Sequence, residues 1–356
     1  MTGEFLMISK FTFVELFAGI GGFHLGLSQV GGRCIYANEW DKYSKKTYEH
    51  WFGDIVVDNR DIKSVNIKKD VPRHDLLAAG FPCQPFSLAG VSKKKSLGKK
   101  HGFDDDLQGN LFLHLCSVVN ELQPKVIFLE NVKNLLFHDK GNTWKVIQNK
   151  IEELGYSLNW AVIDASAWVP QHRERIYIVG FRKKSFTINE RALFKFPSPP
   201  TNPPKLRDIL EVNPSKKYML SDKLWKYLKE YALKHQRIGN GFGFSIANPD
   251  GHSRTLSARY FKDGSEILIR QQGWRNPRRI TPREAAKLMG FDSTWARKQG
   301  IEFPQAVSDT QAYKQFGNSV CPQVVEAIGG EIGHVLAARN QRLAKRREGA
   351  FHPSVV

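Results

Sequence analysis

Read from its amino end, the chain sets short apolar runs against amphipathic stretches. FTFVELF (11–17) predicts a strand, and GFHLGLSQVG (22–31), closed by Gly31, predicts the helix that follows. CIYANEW (34–40) and KYSKKTYEHWF (42–52) repeat the pair. HDLLAAG (74–80), KVIFLENV (125–132) and RIYIVGF (175–181) predict further strands, with GNLFLHLCSVVNEL (109–122) and TWKVIQNKIEELG (143–155) as helices between them. Strand then helix, repeated, predicts an α/β fold with a mostly parallel sheet covered by helices on both faces. Such sheets bind ligands at the carboxyl ends of their strands.

Beyond residue 186 the rhythm breaks. FKFPSPPTNPPKL (194–206) concentrates prolines, LSDKLWKYLKEYALKH (220–235) has helical spacing, and RTLSARYFKDGSEILIR (254–270) predicts a hairpin turning at Asp263-Gly264. VVEAIGGEIGHVLAARNQRLAK (324–345) is helical again. The expected division is a large domain from 1–186 and 310–356 and a small, irregular, β-containing domain from 187–309.

Charge narrows the partners. There are 53 basic and 35 acidic residues, a formal net charge of +18, and a chain this basic is suited to a polyanion such as nucleic acid. Basic residues cluster at 92–101 (SKKKSLGKKH) and 339–348 (RNQRLAKRRE). No stretch has the apolar length of a membrane span, and the start has no signal-peptide core, so the expected location is the cytoplasm. The four cysteines, Cys34, Cys83, Cys116 and Cys321, form no C-x-x-C pair, and their spacing fits neither a zinc site nor a disulfide framework. No metal is expected. Cys83, in FPCQPF, stands between Pro82 and Pro85, a stiff setting that leaves inert packing or nucleophile as its roles.

Several motifs fall at the predicted strand ends. FAGIGG (17–22) joins a strand to a helix and is similar to a dinucleotide-binding loop, but His24 stands where the third glycine belongs, which disfavours an oxidoreductase. Glu39, twenty residues after Gly19, offers a carboxylate to ribose hydroxyls, and Trp40 offers an indole to adenine. Asp61 in NRDI is a candidate acceptor for the adenine amino group, with Asp58 as its competitor. Glu130 ends the FLENV strand. In QHRER (171–175), period two puts Gln171, Arg173 and Arg175 on one face and His172 and Glu174 on the other. A cysteine, a glutamate and two arginines at neighbouring strand ends could attack an electron-poor ring while hydrogen-bonding its polar edge.

Taken in order, FAGIGG, NEW, GFPCQPFS, ENV, QHRER, RRITPREAAKLMGF and GNSV resemble the motif set of the DNA (cytosine-5)-methyltransferases over nearly the whole chain, except about 187–250. The resemblance implies a Rossmann-like, S-adenosyl-L-methionine-dependent methyltransferase domain, a target-recognition domain, and double-stranded DNA between them. By it, Cys83 adds to cytosine C6, Glu130 holds or protonates N3, Arg175 contacts O2 and Arg173 supports the bound strand. Phe17, Gly19, Ile20, Gly21, Glu39, Trp40, Asp61, Ile62, Pro82, Asn318 and Ser319 line the cofactor pocket. Gln84, Ser87, Lys93, Lys94, Lys95 and Thr255 meet DNA, and Arg259, Tyr260 and Lys262 are candidate base readers, or braces of the hairpin. Arg60 stands before Asp61 where many relatives have glycine, and the basic C-terminal stretch matches no shared motif.

The segment TLSARYFKDGSEILI (255–269) is similar to the recognition region of enzymes that methylate CCGG or CC(A/T)GG. Two rival readings remain: a tRNA cytosine-5 methyltransferase, whose CFT signature is absent here, and a silent DNA-binding relative, which would lack the cysteine or the glutamate. A compact catalytic unit is expected to act as a monomer, as the modification enzyme of a restriction-modification system with a possible cognate endonuclease.

Overall fold

The computed structural model describes residues 11–53, 55–82, 111–240, 243–298, 300–303 and 307–350. Seven strands form one sheet: β1 (Phe11–Leu16), β2 (Gly32–Asn38), β3 (Val57–Asp58), β4 (Leu76–Gly80), β5 (Val126–Val132), β6 (Tyr156–Asp164) and β7 (Glu174–Arg182). Their spatial order is β3-β2-β1-β4-β5-β7-β6. The first five run parallel, and β7 runs antiparallel to both of its neighbours. The sheet is therefore mostly parallel, as the alternating pattern predicts.

The period of two within each strand feeds two cores. Phe11 and Phe13 of β1, Leu76 and Ala78 of β4, and Val126 and Phe128 of β5 face α1 (Gly22–Gln29) and the long C-terminal helix. Val14, Leu16, Leu77, Ala79, Ile127 and Leu129 face the opposite way. They meet the predicted helices, found at Leu111–Leu122 (α3) and Asn142–Glu153 (α4); α2 spans Lys42–Trp51. Strands buried on both faces read as near-continuous apolar runs, which is why the sequence shows them plainly.

The pattern fails in two places. No strand is expected at β6, which lies at the sheet edge, and its residues YSLNWAVID are mostly half-buried rather than cleanly alternating. The expected 254–270 hairpin does not form. Leu268–Ile269 (β8) pairs instead with Arg278–Arg279 (β9). Ser265 N–H donates to Asp263 Oδ1 in a local turn. The Asp-Gly pair is thus a turn, but the partner of the second arm comes from farther along the chain.

The longer helices of the C-terminal half are α5 (Asp222–Arg237), α6 (Pro282–Leu288), α7 (Asp309–Asn318) and α8 (Pro322–Ala350). A third core gathers Leu256, Ile267, Ile280, Leu288 and Phe291 with Phe316 of α7 and with Ile20, Leu25 and Trp51 of the first half. It runs unbroken across residue 310. At its centre Arg278 and Glu284, both fully buried, form a bidentate pair at 2.7 and 2.8 Å. Glu284 also accepts from Thr281 N–H, completing the capping box of α6, and from Glu211 N–H. Helix α8 returns to the sheet and packs on α1 at Gly26, where a Cβ would lie 2.5 Å from Pro322 O.

Candidate active site

At the carboxyl edge of the parallel strands lies a cavity of about 630 Å³. The turn after β1 builds its floor. Phe17 adopts the left-handed region at φ 54°, a conformation that costs a non-glycine residue free energy, and Gly19 follows at φ 56°. Both line the cavity. Gly19 N–H donates to Glu39 Oε2 at 2.8 Å, and Asp41 N–H donates to Glu39 Oε1 at 2.8 Å. Glu39 is thereby fixed between two loops. Burial raises its pKa, against the pull of those two backbone donors.

Glu39, Trp40, Asp61, Ile62, Pro82, Asn318 and Ser319 all line the same cavity, so the structure brings together most of the residues expected around a cofactor. Trp40 is 74% exposed, an indole open to a partner. Asp58 is eliminated as Asp61's competitor: it takes the Arg60 guanidinium and the Tyr36 hydroxyl. Asp61 caps the following turn through Oδ1, which accepts Lys63 N–H. Two expectations are corrected. Ile20 is buried in the third core, and Gly21 packs under Tyr48 and Phe52, so neither lines the cavity.

The far wall comes from β5 and β7. Because β7 runs backwards, its first residues lie beside the last residues of β5, with Val132 paired to Arg175 and Glu130 to Tyr177. The alternation expected in QHRER is observed: Gln171 and Arg173 are buried, while the His172 and Glu174 side chains face solvent. Arg175 Nε stands 3.1 Å from Glu130 Oε1. Burial pushes the Glu130 carboxyl up, partly countered by Arg175 and Arg173. An acid held this way keeps its proton more readily than a surface glutamate.

Arg173 does not face outward, as support for a bound strand would require. Its guanidinium donates to the carbonyls of Leu256, Gly317 and Ser319 at 3.3, 3.1 and 2.6 Å, and burial lowers its pKa to about 10. It is a positioning residue that ties the β7 end to the 317–319 turn. Gly317 permits the approach, since a Cβ there would lie 2.4 Å from the Ser257–Ala258 backbone.

Two roles were not read from the sequence. Asn131 Nδ2 donates to Phe81 O at 2.8 Å and so fixes the chain just beyond β4 against the end of β5; its signal was the residue after the acid in ENV. Lys314 and Gln315 also line the cavity, beside the GNSV motif.

Cys83, Gln84, Ser87, Lys93, Lys94 and Lys95 lie outside the described residues. The three described cysteines are buried, and burial raises the Cys34 and Cys116 thiols to about 12 and the Cys321 thiol to about 11. None is a nucleophile near neutral pH. Thr255 stands in an open groove with Val132 and Arg175, its hydroxyl donating to His172 O. Arg259 and Lys262 are exposed. Tyr260 is not a base reader: it is fully buried, its hydroxyl donating to Ile267 O at 2.6 Å and accepting from Ile280 N–H at 2.8 Å. It braces the buried turn between Ile267 and Ile280 rather than the hairpin expected from the sequence.

Among the described residues, no helix is long and apolar enough to cross a membrane. A family profile described as "C-5 cytosine-specific DNA methylase" matches residues 11–334. A "DNA-cytosine methyltransferase" of Escherichia coli K12 is 41% identical over 96% of this chain and 81% of its own length. "Type II methyltransferase M.SsoII" of Shigella sonnei is 44% identical, covering 91% of this chain and 80% of its own. "Type II methyltransferase M.HpaII" of Haemophilus parainfluenzae is 39% identical, covering 91% and 89%. In shape, the chain is similar to a crystal structure of a Spodoptera frugiperda DNMT2 mutant, with TM-score 0.68 at 22% identity over 92% of this chain and all of the other. An Escherichia coli prophage "putative DNA modification methyltransferase" gives 0.64 at 22% over the same shares. With a family profile spanning most of the chain and relatives near two-fifths identity along it, the chain belongs to the C-5 cytosine-specific DNA methylase family and is a DNA (cytosine-5-)-methyltransferase.

Proposed function

We propose that the chain transfers a methyl group from S-adenosyl-L-methionine to C5 of a cytosine flipped out of duplex DNA, through a covalent bond between Cys83 and C6. The observation that carries this reading is the single cavity into which Glu39 and Trp40 converge from one side and Glu130 and Arg175 from the other. The donor set suits the cofactor. Glu39 offers acceptor oxygens for ribose hydroxyls, Trp40 and Phe17 offer aromatic faces, and Asp61 and Ile62 flank the adenine end. Asn318 and Ser319 supply polar groups opposite them. Bound there, the cofactor supplies an electrophilic methyl on a sulfonium.

Cytosine C5 is too weak a nucleophile to take that methyl unaided. Addition of the Cys83 thiolate to C6, with Glu130 placing a proton at N3, leaves the C5–C6 unit enamine-like, and C5 then attacks. A base removes the C5 proton, the C6–S bond breaks and the thiolate leaves. The raised pKa of Glu130 keeps the acid form available for N3, and Arg175 reaches the O2 side while remaining paired with Glu130. A thiol must approach the face of the ring, so the base leaves the stack at a cost of a few kcal/mol. Contacts from Gln84, Ser87, Lys93, Lys94, Lys95 and Thr255 to the backbone offset it. Residues 187–309 act as the target-recognition part, with Arg259 and Lys262 free to reach base edges. We take the site to be of the CCGG or CC(A/T)GG class and the protein to act as a monomer. It would serve as the modification enzyme of a restriction-modification system.

The test is transfer of labelled methyl to duplex DNA and to tRNA, with wild type and Cys83→Ser. Transfer to DNA alone, abolished in the variant while DNA binding persists, supports the reading. Transfer to tRNA, or methylation by Cys83→Ser, contradicts it. Bisulfite sequencing of plasmid from expressing cells reads the target sequence.

A further inference from the structure

Helix α8 outruns the core it packs on. Its last buried apolar residues are Val335 and Leu336, yet the helix continues to Ala350. The extension, ARNQRLAKRREG (338–349), carries five cations against one acid. Two of the cations pin the helix down. Arg339 Nε donates to Ser185 O at 3.0 Å, with its guanidinium 5.8 Å from the Phe186 ring centre, and Arg342 Nε donates to Glu190 Oε1 at 2.7 Å. The other three, Lys345, Arg346 and Arg347, are exposed and have no acidic partner among the described residues. Lys183 and Lys184, exposed in the turn that leads to Ser185, extend the patch.

Like charges three and four apart on a helix repel, and Arg342 has Lys345 and Arg346 at those spacings. Glu190 offsets this at Arg342 alone, whereas a polyanion laid along the face would offset it throughout. The patch also lies far from the cavity. Ser319 lines the cavity at the carboxyl edge of the sheet, and α8 starts three residues later. Ser185 follows β7, whose Phe181 pairs with Val126, the first residue of β5, so it stands at the amino edge. The helix therefore crosses the sheet, and at 1.5 Å per residue Arg346 lies roughly 36 Å along it from Pro322. Duplex DNA stays stiff over about 50 nm. A stretch presented to the cavity cannot fold round the sheet to reach this patch.

We propose that the end of α8, with Lys183 and Lys184, is a second duplex-binding surface, which takes the phosphate backbone of a DNA segment other than the one being methylated. Its contacts go to phosphates and carry no sequence information. The occupant is DNA because that is the polyanion on which this family acts. On long DNA a neighbouring segment is also present at high effective concentration.

The experiment is capture of a second duplex by the full chain. A short immobilised duplex carrying the methylated site, identified by bisulfite sequencing, is saturated with protein, and retention of a labelled duplex lacking the site is followed against salt. Wild type should retain it. In the triple variant Lys345→Gln/Arg346→Gln/Arg347→Gln, which keeps Arg339 and Arg342, retention should weaken about tenfold or more, and the slope of log affinity against log salt should fall by about 2.7, at 0.9 per phosphate contact. Methyl transfer to the short duplex should be unchanged, which also shows that the variant is folded. No retention by wild type, or undiminished retention by the variant, overturns the proposal. So does loss of transfer to the short duplex at an unchanged melting temperature, which would place the helix end on the DNA in the cavity.

Discussion

Two buried glutamates face each other across one cavity, and they are held differently. Glu39 is gripped by neutral backbone donors, Gly19 N–H and Asp41 N–H, and its setting is built from residues close to it in sequence. Glu130 faces a guanidinium, Arg175, which a reversed strand brings from 45 residues away. The first arrangement makes a fixed acceptor, suited to a ligand that arrives with hydroxyls. The second makes an acid whose proton is adjustable: burial favours the neutral form and the neighbouring charge opposes it. Identical side chains are thus fitted to different work, a binder and a proton donor in the function proposed above, because their partners differ, not their burial.

The hardest test of that contrast is Glu130→Gln. An amide cannot give up a proton to N3, so kcat is expected to fall by about 10²–10⁴, with S-adenosylhomocysteine affinity unchanged by calorimetry. The wild-type rate should also decline as pH rises through the raised Glu130 pKa, since the proton-donating form is lost on the alkaline side. A variant that weakened cofactor binding instead would erase the division of labour.

Next in size is Arg173→Met, which leaves three buried carbonyls without their donor. A loss of about 3 kcal/mol in urea unfolding is expected, together with weaker binding of cofactor and of DNA, because Arg173 joins the β7 end to the Gly317–Ser319 turn. Loss confined to DNA binding would restore the strand-supporting role that burial argues against.

Glu15 tests whether burial alone commits an acid to chemistry. It lies under the turn after β1, accepting from Phe23 N–H and Tyr48 Oη–H, and burial raises its pKa from 4.5 to about 8. A folded-state pKa above the unfolded one stabilises the fold fully below about pH 4.5, and that stability is lost as pH rises through about 8. Over that window the loss should be on the order of a few kcal/mol. Thermal unfolding of Glu15→Gln should show a flatter pH profile than wild type; an identical profile would mean that Glu15 is ionised in the fold at neutral pH.

The smallest expected effect is at the binder. Glu39→Gln keeps the shape but loses the charge, so affinity for S-adenosylhomocysteine should fall about tenfold, with kcat at saturating cofactor within about twofold of wild type. A large drop in kcat would place Glu39 in the chemistry and break the comparison from the other side.

How much of this was legible follows the physics of each region. Strands β1, β4, β5 and β7 are buried on both faces and announce themselves as apolar runs, and β2 also falls where the pattern puts it. Strand β6 has one neighbour and mixed exposure, and its pattern is blurred. That Gly19, Glu39 and Trp40 share one cavity was readable because they are near one another along the chain. Tyr260 was misread because an aromatic beside two cations looks alike in a groove or a core, and only its two buried hydrogen bonds decide. Arg173 shows a related limit: alternation gives the face on which a side chain lies, but not whether carbonyls wait there. The ion pair between Asp41 and Lys314, both lining the cavity, joins residues 273 apart, and no local pattern carries it.

The most direct measurement of the central claim is covalent trapping. Duplex DNA carrying 5-fluorocytosine at the target position blocks removal of the C5 substituent, so incubation with S-adenosyl-L-methionine should leave a stable protein–DNA adduct, mapped by mass spectrometry to Cys83. It should form slowly in Glu130→Gln and to the wild-type extent in Glu39→Gln at saturating cofactor. Methylation of ordinary duplex without any such adduct, or an adduct at another residue, would contradict the account.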